Sequence, residues 1–301
     1  MPNRREFLGS LAAGAGLIGF GFRSTAQSAV SLPPLRLGFF TDVHARTDLR
    51  VPEALNLAVK AMNEEEVDLW ICGGDVINRG YLKAASECVD SFKVFTDFLG
   101  QIDQPVYPVI GNHDLAGAFP ADGSPPAIDP TALWRDAFQL DGTYQSFDHG
   151  GIHYFLIDSV ELTSPPLFYR GYVNQEQIAW LTKELSKIPA EKPIVLVSHI
   201  PFRTVFIQVV ENPSAPLPEN LVVENANEIL ELFKGRNLPL VLQGHLHSNE
   251  LIDWAGRTFL MGGAICGGWW EGPNRDTGFG YGVVDVSDGQ IQWTYKGYGW
   301  A

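Results

Sequence analysis

The sequence predicts an α/β domain with largely parallel strands at its centre. Short apolar, β-rich runs recur through the middle of the chain, and amphipathic helical patterns separate several of them. Five of the runs stop on a polar motif containing His, Asp or Asn. Alternating strands and helices favour parallel pairing, and such sheets carry their working loops at strand C-termini. The five motifs are therefore expected on one rim.

Before the first strand the chain reads as an address. Asn3-Arg4-Arg5-Glu6-Phe7-Leu8-Gly9 resembles a twin-arginine export signal. Residues 8–22 follow without a charge, and Ser24-Thr25-Ala26 fits a small-x-small cleavage site. A membrane span needs ~20 predominantly apolar residues, and this Gly-rich run is shorter. The expectation is a removable signal over 1–26, the twin-arginine machinery as a partner, a periplasmic or cell-surface destination, and one domain over 27–301 with no membrane span.

Residues 35–40 form the first predicted strand and end on Thr41-Asp42-Val43-His44. Leu55, Val59 and Met62 then share a helix face. A strand over 67–72 runs into Gly73-Gly74-Asp75, and Phe92, Phe95 and Leu99 mark the next helix. A strand over 106–110 meets Gly111-Asn112-His113-Asp114. Residues 142–148 and 152–157, joined by His149-Gly150-Gly151, predict a hairpin. Ile178, Leu181, Leu185 and Ile188 line another helix. Strands over 194–197 and 238–242 end on Ser198-His199 and Gln243-Gly244-His245-Leu246-His247. Strands over 258–261, 281–286 and 290–295 follow, the last two joined through Ser287-Asp288-Gly289. Three Gly- or Pro-rich stretches, 115–129, 202–218 and 262–278, are expected to wall a cleft, because loops this long in a compact domain are often functional.

The chain of 301 residues has 21 Lys and Arg against 35 Asp and Glu, a net charge of −14. That argues against broad, phosphate-driven nucleic-acid binding, which needs a basic face, but not against a small phosphorylated substrate. Three cysteines cannot make a disulfide framework. Five of the seven histidines sit in the motifs; His149 and His153 flank the hairpin turn and are not expected to be ligands. In Asp42-x-His44 and His245-x-His247 an extended segment would point both side chains to one face, leaving Val43 and Leu246 to the core. Imidazole, carboxylate and amide donors without a thiolate suit borderline first-row metals rather than a closed structural zinc site.

In order, these five blocks resemble the calcineurin-like metallophosphoesterases, whose pattern is D-x-H, G-D-x-x-[D/N], G-N-H-[D/E], a later His, and G-H-x-H. The resemblance implies a two-layer β-sandwich flanked by helices, with a dinuclear centre at one rim. It implies that Asp42, His44 and His247 hold one metal, that Asn112, His199 and His245 hold the other, and that Asp75 bridges two ions ~3.5–4 Å apart. Iron, manganese and zinc all fit. A metal-bound hydroxide would attack in line. His113 would contact the phosphate or protonate the leaving oxygen, and Asp114 would orient it. The ions would also make the site positive inside an acidic protein. Purple acid phosphatases carry an iron-ligating Tyr three residues after the bridging Asp; here that position is Asn78, either a support for the site or a turn residue. Candidate substrate contacts are Arg79 and Arg203, each with a purely structural alternative, and Trp269 and Trp270, which either wall the cleft or pack the core. The resulting expectation is hydrolysis of phosphate mono- or diesters, with a nuclease of the same superfamily and a non-catalytic metal- or phosphate-binding protein as competitors.

Overall fold

The computed structural model describes residues 22–27, 32–287 and 289–301. The strands are β1 (Phe22–Gln27), β2 (Leu35–Phe40), β3 (Leu69–Cys72), β4 (Val106–Pro108), β5 (Gln145–His149), β6 (Ile152–Leu156), β7 (Val160–Leu162), β8 (Tyr169–Gly171), β9 (Ile194–Val197), β10 (Leu240–Gln243), β11 (Glu250–Trp254), β12 (Arg257–Met261), β13 (Gly280–Ser287) and β14 (Gln290–Gly297). The helices are α1 (Val51–Asn63), α2 (Ala85–Leu99), α3 (Ala132–Phe138), α4 (Gln175–Leu185), α5 (Phe206–Val210) and α6 (Ala226–Leu232).

Two six-stranded sheets stack on each other. One has the order β1-β14-β13-β2-β3-β4 and the other β11-β12-β10-β9-β6-β5. Pairing is parallel from β2 to β4 and from β12 to β6, and antiparallel toward the edges. Strand periodicity explains the layers. Leu35, Leu37, Phe39, Leu69 and Ile71 face Tyr154, Leu156, Val195, Val197, Leu240 and Leu242, and together they form the core between the sheets. The alternate residues Phe40, Trp70 and Cys72 pack under α1 and α2, against Ala54, Leu55, Ala58, Phe92 and Phe95. On the other outer face Phe155, Leu196, Val241 and Phe259 meet Leu181 and Leu185 of α4 and Ile229 of α6. Central strands buried on both faces therefore read as continuous apolar runs. Gly38 keeps this packing possible, since a Cβ there would lie 2.2 Å from the Trp70 ring. Cys72, Cys88 and Cys266 are free and buried.

The predicted two-layer β-sandwich flanked by helices is the observed fold, with shifted edges. β4 stops at Pro108 and β10 starts at Leu240. The sequence reading misses β7, β8 and β11 and the short helices α3, α5 and α6, which span too few residues for a period to stand out. Residues 1–21, and with them Arg4 and Arg5 of the expected export signal, lie outside the described residues, as does Asp288 of the β13–β14 turn. β1 runs across the boundary expected after Ala26 and pairs antiparallel with β14.

Candidate metal centre

The five motifs leave the C-terminal ends of β2, β3 and β4 in one sheet and of β9 and β10 in the other. Backbone bonds stitch the loops together: Asp42 N–H to Gly74 O (2.9 Å), His44 N–H to Asp75 O (2.9 Å) and Gly244 N–H to His199 O (3.0 Å). The sequence reading expects extended segments, and the structure does not have them. Asp42, His44, Asp75, His245 and His247 have φ of 54°, 45°, 53°, 77° and 51°, a left-handed conformation that costs a non-glycine residue ~1–3 kcal/mol and clusters at functional sites. Two left-handed residues flank Val43 and two flank Leu246, so the side chains at i and i+2 still converge. Val43 is buried in the core, and Leu246, also buried, lines the cavity described below.

The donors fall into two groups that share one oxygen. Asp42 Oδ1 lies 3.3 Å from His247 Nε2 and 3.8 Å from His44 Nε2, and the two imidazole nitrogens are 3.1 Å apart. His199 Nε2 lies 3.1 Å from Asn112 Oδ1 and 3.2 Å from His245 Nδ1. Asp75 Oδ2 faces both groups, 3.6 Å from His44 Nε2 and 3.2 Å from His199 Nε2. All except His245 are more than 95% buried.

The histidines sort themselves by what holds the ring nitrogen that faces away from the centre. His199 Nδ1 meets Gly73 O at 2.7 Å, His247 Nδ1 meets Gly267 O at 2.6 Å, and His245 Nε2 meets Asn220 O at 2.8 Å. A carbonyl accepts, so each of these nitrogens carries a proton, and in the neutral ring the inward nitrogen presents a lone pair. His113 is the reverse: its Nδ1 accepts from Arg79 N–H at 2.9 Å. In the neutral ring the proton then sits on Nε2, which lies 4.0 Å from Asp75 Oδ2. In their neutral forms His199, His245 and His247 thus turn a lone pair inward, whereas His113 turns an N–H inward.

The carboxylates and imidazoles at the centre shift one another strongly. Burial alone would raise the carboxyls of Asp42 and Asp75, yet the facing histidines, chiefly His247 and His199, hold both well below the usual range. Burial disfavours the His199 imidazolium, but Asp75 and Asp42 overrule it and lift the group to about 9. Burial and the charge of His44, His245 and His199 drive His113 down to about 3 against the pull of Asp75. Asp42 Oδ1 is buried with no hydrogen-bond partner, while Oδ2 accepts from Thr41 Oγ1 and His245 N–H. Acceptor atoms 3.1–3.8 Å apart fit the edges between ligands ~2.0–2.2 Å from a common ion. The residues present therefore fit metal binding.

Asp114 does not orient His113. Its buried carboxylate accepts from Val76 N–H (2.7 Å), Ile77 N–H (3.2 Å) and Gly111 N–H (2.9 Å), which ties the β3 and β4 loops together. These three backbone donors hold it, and Arg79 N–H contacts the His113 ring instead.

A cavity of about 350 Å³ opens beside the donors, lined by Asp75, His113, Tyr169, Phe206, His245 and Trp269, among others. Trp269 is exposed, with its ring centroid 4.6 Å from that of His247. Trp270 is not part of this wall. It is buried, and its indole N–H donates to Val43 O (3.1 Å) and His44 O (3.0 Å), which fixes the first ligand loop. Arg203 also stays out of the cavity, because its guanidinium donates to Phe202 O (2.7 Å) and Asn227 Oδ1 (2.6 Å) and lies over Phe259. Asn78 sits in a turn whose N–H bonds Ala45 O, and the Arg79 side chain lines a neighbouring cavity. Of the three expected walls, 202–218 supplies Phe206 and 262–278 supplies Trp269, Asn274 and Arg275. Stretch 115–129 supplies none: Leu115, Ala116 and Ala118 are buried in the core and Phe119 packs on Phe168. Tyr169 and Leu221 line the cavity without having been expected there.

A sandwich with His, Asp and Asn gathered at one rim defines a class of metal-dependent ester-cleaving proteins. Residues 35–249 match the calcineurin-like phosphoesterase family, and the chain belongs to it. It is 23% identical over 234 residues to a probable cyclic nucleotide phosphodiesterase of Xenorhabdus bovienii, covering 76% of this chain and 81% of that one. A probable cyclic nucleotide phosphodiesterase of Rhodococcus erythropolis is 24% identical over 205 residues, 66% of this chain and 58% of the other. A dimetal phosphatase from Danio rerio superposes with a TM-score of 0.62 at 15% identity, covering 88% of this chain and 97% of that one, a likeness of fold.

Proposed function

We propose that this chain hydrolyses small phosphodiesters that carry an aromatic group, using two metal ions. Asp42, His44 and His247 would hold one ion, Asn112, His199 and His245 the other, and Asp75 both. The observation that carries this reading is Asp75 Oδ2, which lies within 3.6 Å of an inward nitrogen of each group. When bound, iron, manganese or zinc ions would polarise a phosphoryl oxygen and acidify water.

The chain's own residues do the rest. His113 Nε2–H points into the cavity and donates a hydrogen bond to a phosphoryl or leaving oxygen. With its imidazole neutral down to about pH 3, it stabilises charge by donating a hydrogen bond and does not give up a proton. Trp269 offers a face for a base or aryl ring, and Arg275, at the same cavity, offers a cation. The names of the two bacterial relatives agree with a diester. The net charge of −14 disfavours a nuclease acting on long polyanions.

The test is turnover of bis(4-nitrophenyl) phosphate, 4-nitrophenyl phosphate and cyclic adenosine monophosphate by protein stripped with chelator and reloaded with manganese, iron or zinc. Diester hydrolysis lost on stripping and regained on reloading is expected. A metal-loaded protein that turns over none of them overturns the reading.

We also propose export through the twin-arginine route. The support is Arg4-Arg5 followed by a charge-free run and a small-residue cleavage site. Replacing both arginines with lysine is expected to trap the precursor in the cytoplasm; fractionation showing unchanged export would refute it.

A further inference from the structure

Trp269 also lines a second cavity, of about 340 Å³, together with Arg46, Asn78, Arg79, Lys83 and Glu271. Three cations and one carboxylate line it, in a chain where acidic residues outnumber basic ones 35 to 21. Arg46 is paired with Asp48, and Glu271 also acts on it. Arg79 and Lys83 form no ion pair among the described residues.

Their position ties this cavity to the metal centre. Trp269 lines both cavities. Arg79 shares a residue with the machinery, since its backbone N–H holds His113 Nδ1. Lys83 follows one short turn later, with its N–H bonded to Gly80 O at 3.2 Å. Unpaired cations beside an aromatic face suit an anionic group, which guanidinium and ammonium bind by charge-assisted hydrogen bonds.

We propose that the cavity of Arg46, Arg79 and Lys83 is a second anion subsite, which receives a further phosphoryl group of the same substrate whose scissile phosphate lies at the metal centre. This deepens the phosphodiester reading and rests on it: the favoured substrate carries two phosphoryl groups, one in each of the two cavities that Trp269 lines. Lys83 is the specificity determinant that separates such substrates from singly charged diesters.

The test uses binding, so that it stands apart from turnover. Methylphosphonate and the 1,3-propylene and 1,5-pentylene bisphosphonates, whose P–C bonds resist hydrolysis, are titrated into manganese-loaded protein and its Lys83→Glu variant. The better-fitting bisphosphonate is expected to bind at least ~10-fold more tightly than methylphosphonate, with a gain that shrinks at high salt. In Lys83→Glu that gain disappears, and methylphosphonate affinity and metal content stay as in the unmodified protein. Equal affinities for one and two phosphonates overturn the proposal, as does a gain that survives Lys83→Glu. Should inorganic phosphate bind alongside methylphosphonate while the linked pair has no advantage, the cavity takes a separate anion and the proposal also fails. Absence of diester turnover with the bisphosphonate pattern intact would overturn the hydrolase reading alone.

Discussion

Asp75→Asn is expected to remove metal and activity together. The amide oxygen can still accept from His113 N–H, as Asp75 Oδ1 does at 2.7 Å, so the loop keeps its tie. What goes is the negative charge on the one oxygen that faces both donor groups. In its place stands either a neutral oxygen or an NH2 aimed at ligand nitrogens. Changing a residue that merely supports a metal ligand costs ~10–100-fold in metal affinity or activity. Loss of the shared ligand itself is expected to exceed ~100-fold in both. Elemental analysis, diester turnover and far-ultraviolet circular dichroism on one preparation check this. Unchanged secondary structure with depleted metal supports the shared role, and full activity in the variant would overturn it.

His113→Ala is expected to behave differently. Its ring nitrogen is held by Arg79 N–H, its inward Nε2–H is a donor, and it contributes no lone pair to the centre. Metal content should therefore stay level while kcat falls ~10²–10³-fold, the usual cost of losing one donor to developing negative charge. A group whose pKa lies near 3 cannot supply a limb to a pH–rate profile near neutrality. The shape of that profile should survive the substitution, with only its height changed. Loss of the alkaline limb would show that His113 gives up a proton after all, and loss of metal would place it among the ligands.

These expectations depend on what the sequence can and cannot say. The ligand loops were legible because β2, β3, β9 and β10 are buried on both faces and announce themselves as apolar runs, each ending in a polar motif. Residue type alone could not tell His113 from His199, because the difference lies in a backbone N–H at one ring and a backbone carbonyl at the other. The same limit hid Asn220 and Gly267, which hold His245 and His247 through main-chain oxygens. Asp114 was misread because a carboxylate after His113 suits two tasks, and three loop N–H groups claim it. Trp269 and Trp270 are identical neighbours in sequence, but both adopt positive φ, and the bend sends one to the surface and the other into the core. Tyr169 and Leu221 reach the cavity from segments far from any motif, so nothing local marked them.

The motifs follow strands of both sheets. Asp42, His44, Asp75 and Asn112 belong to one layer, and His199, His245 and His247 to the other. Each donor group thus draws from both layers, and any ion held there is a rivet through the sandwich. Sliding or parting the sheets would pull the ligands off it, so losing the metal and opening the core become one event. Free ion at a thousand times its dissociation constant would add ~4 kcal/mol to the folded state, concentrated at the rim where the protein must also admit its substrate. The centre that would perform the chemistry also clamps the two halves of the fold.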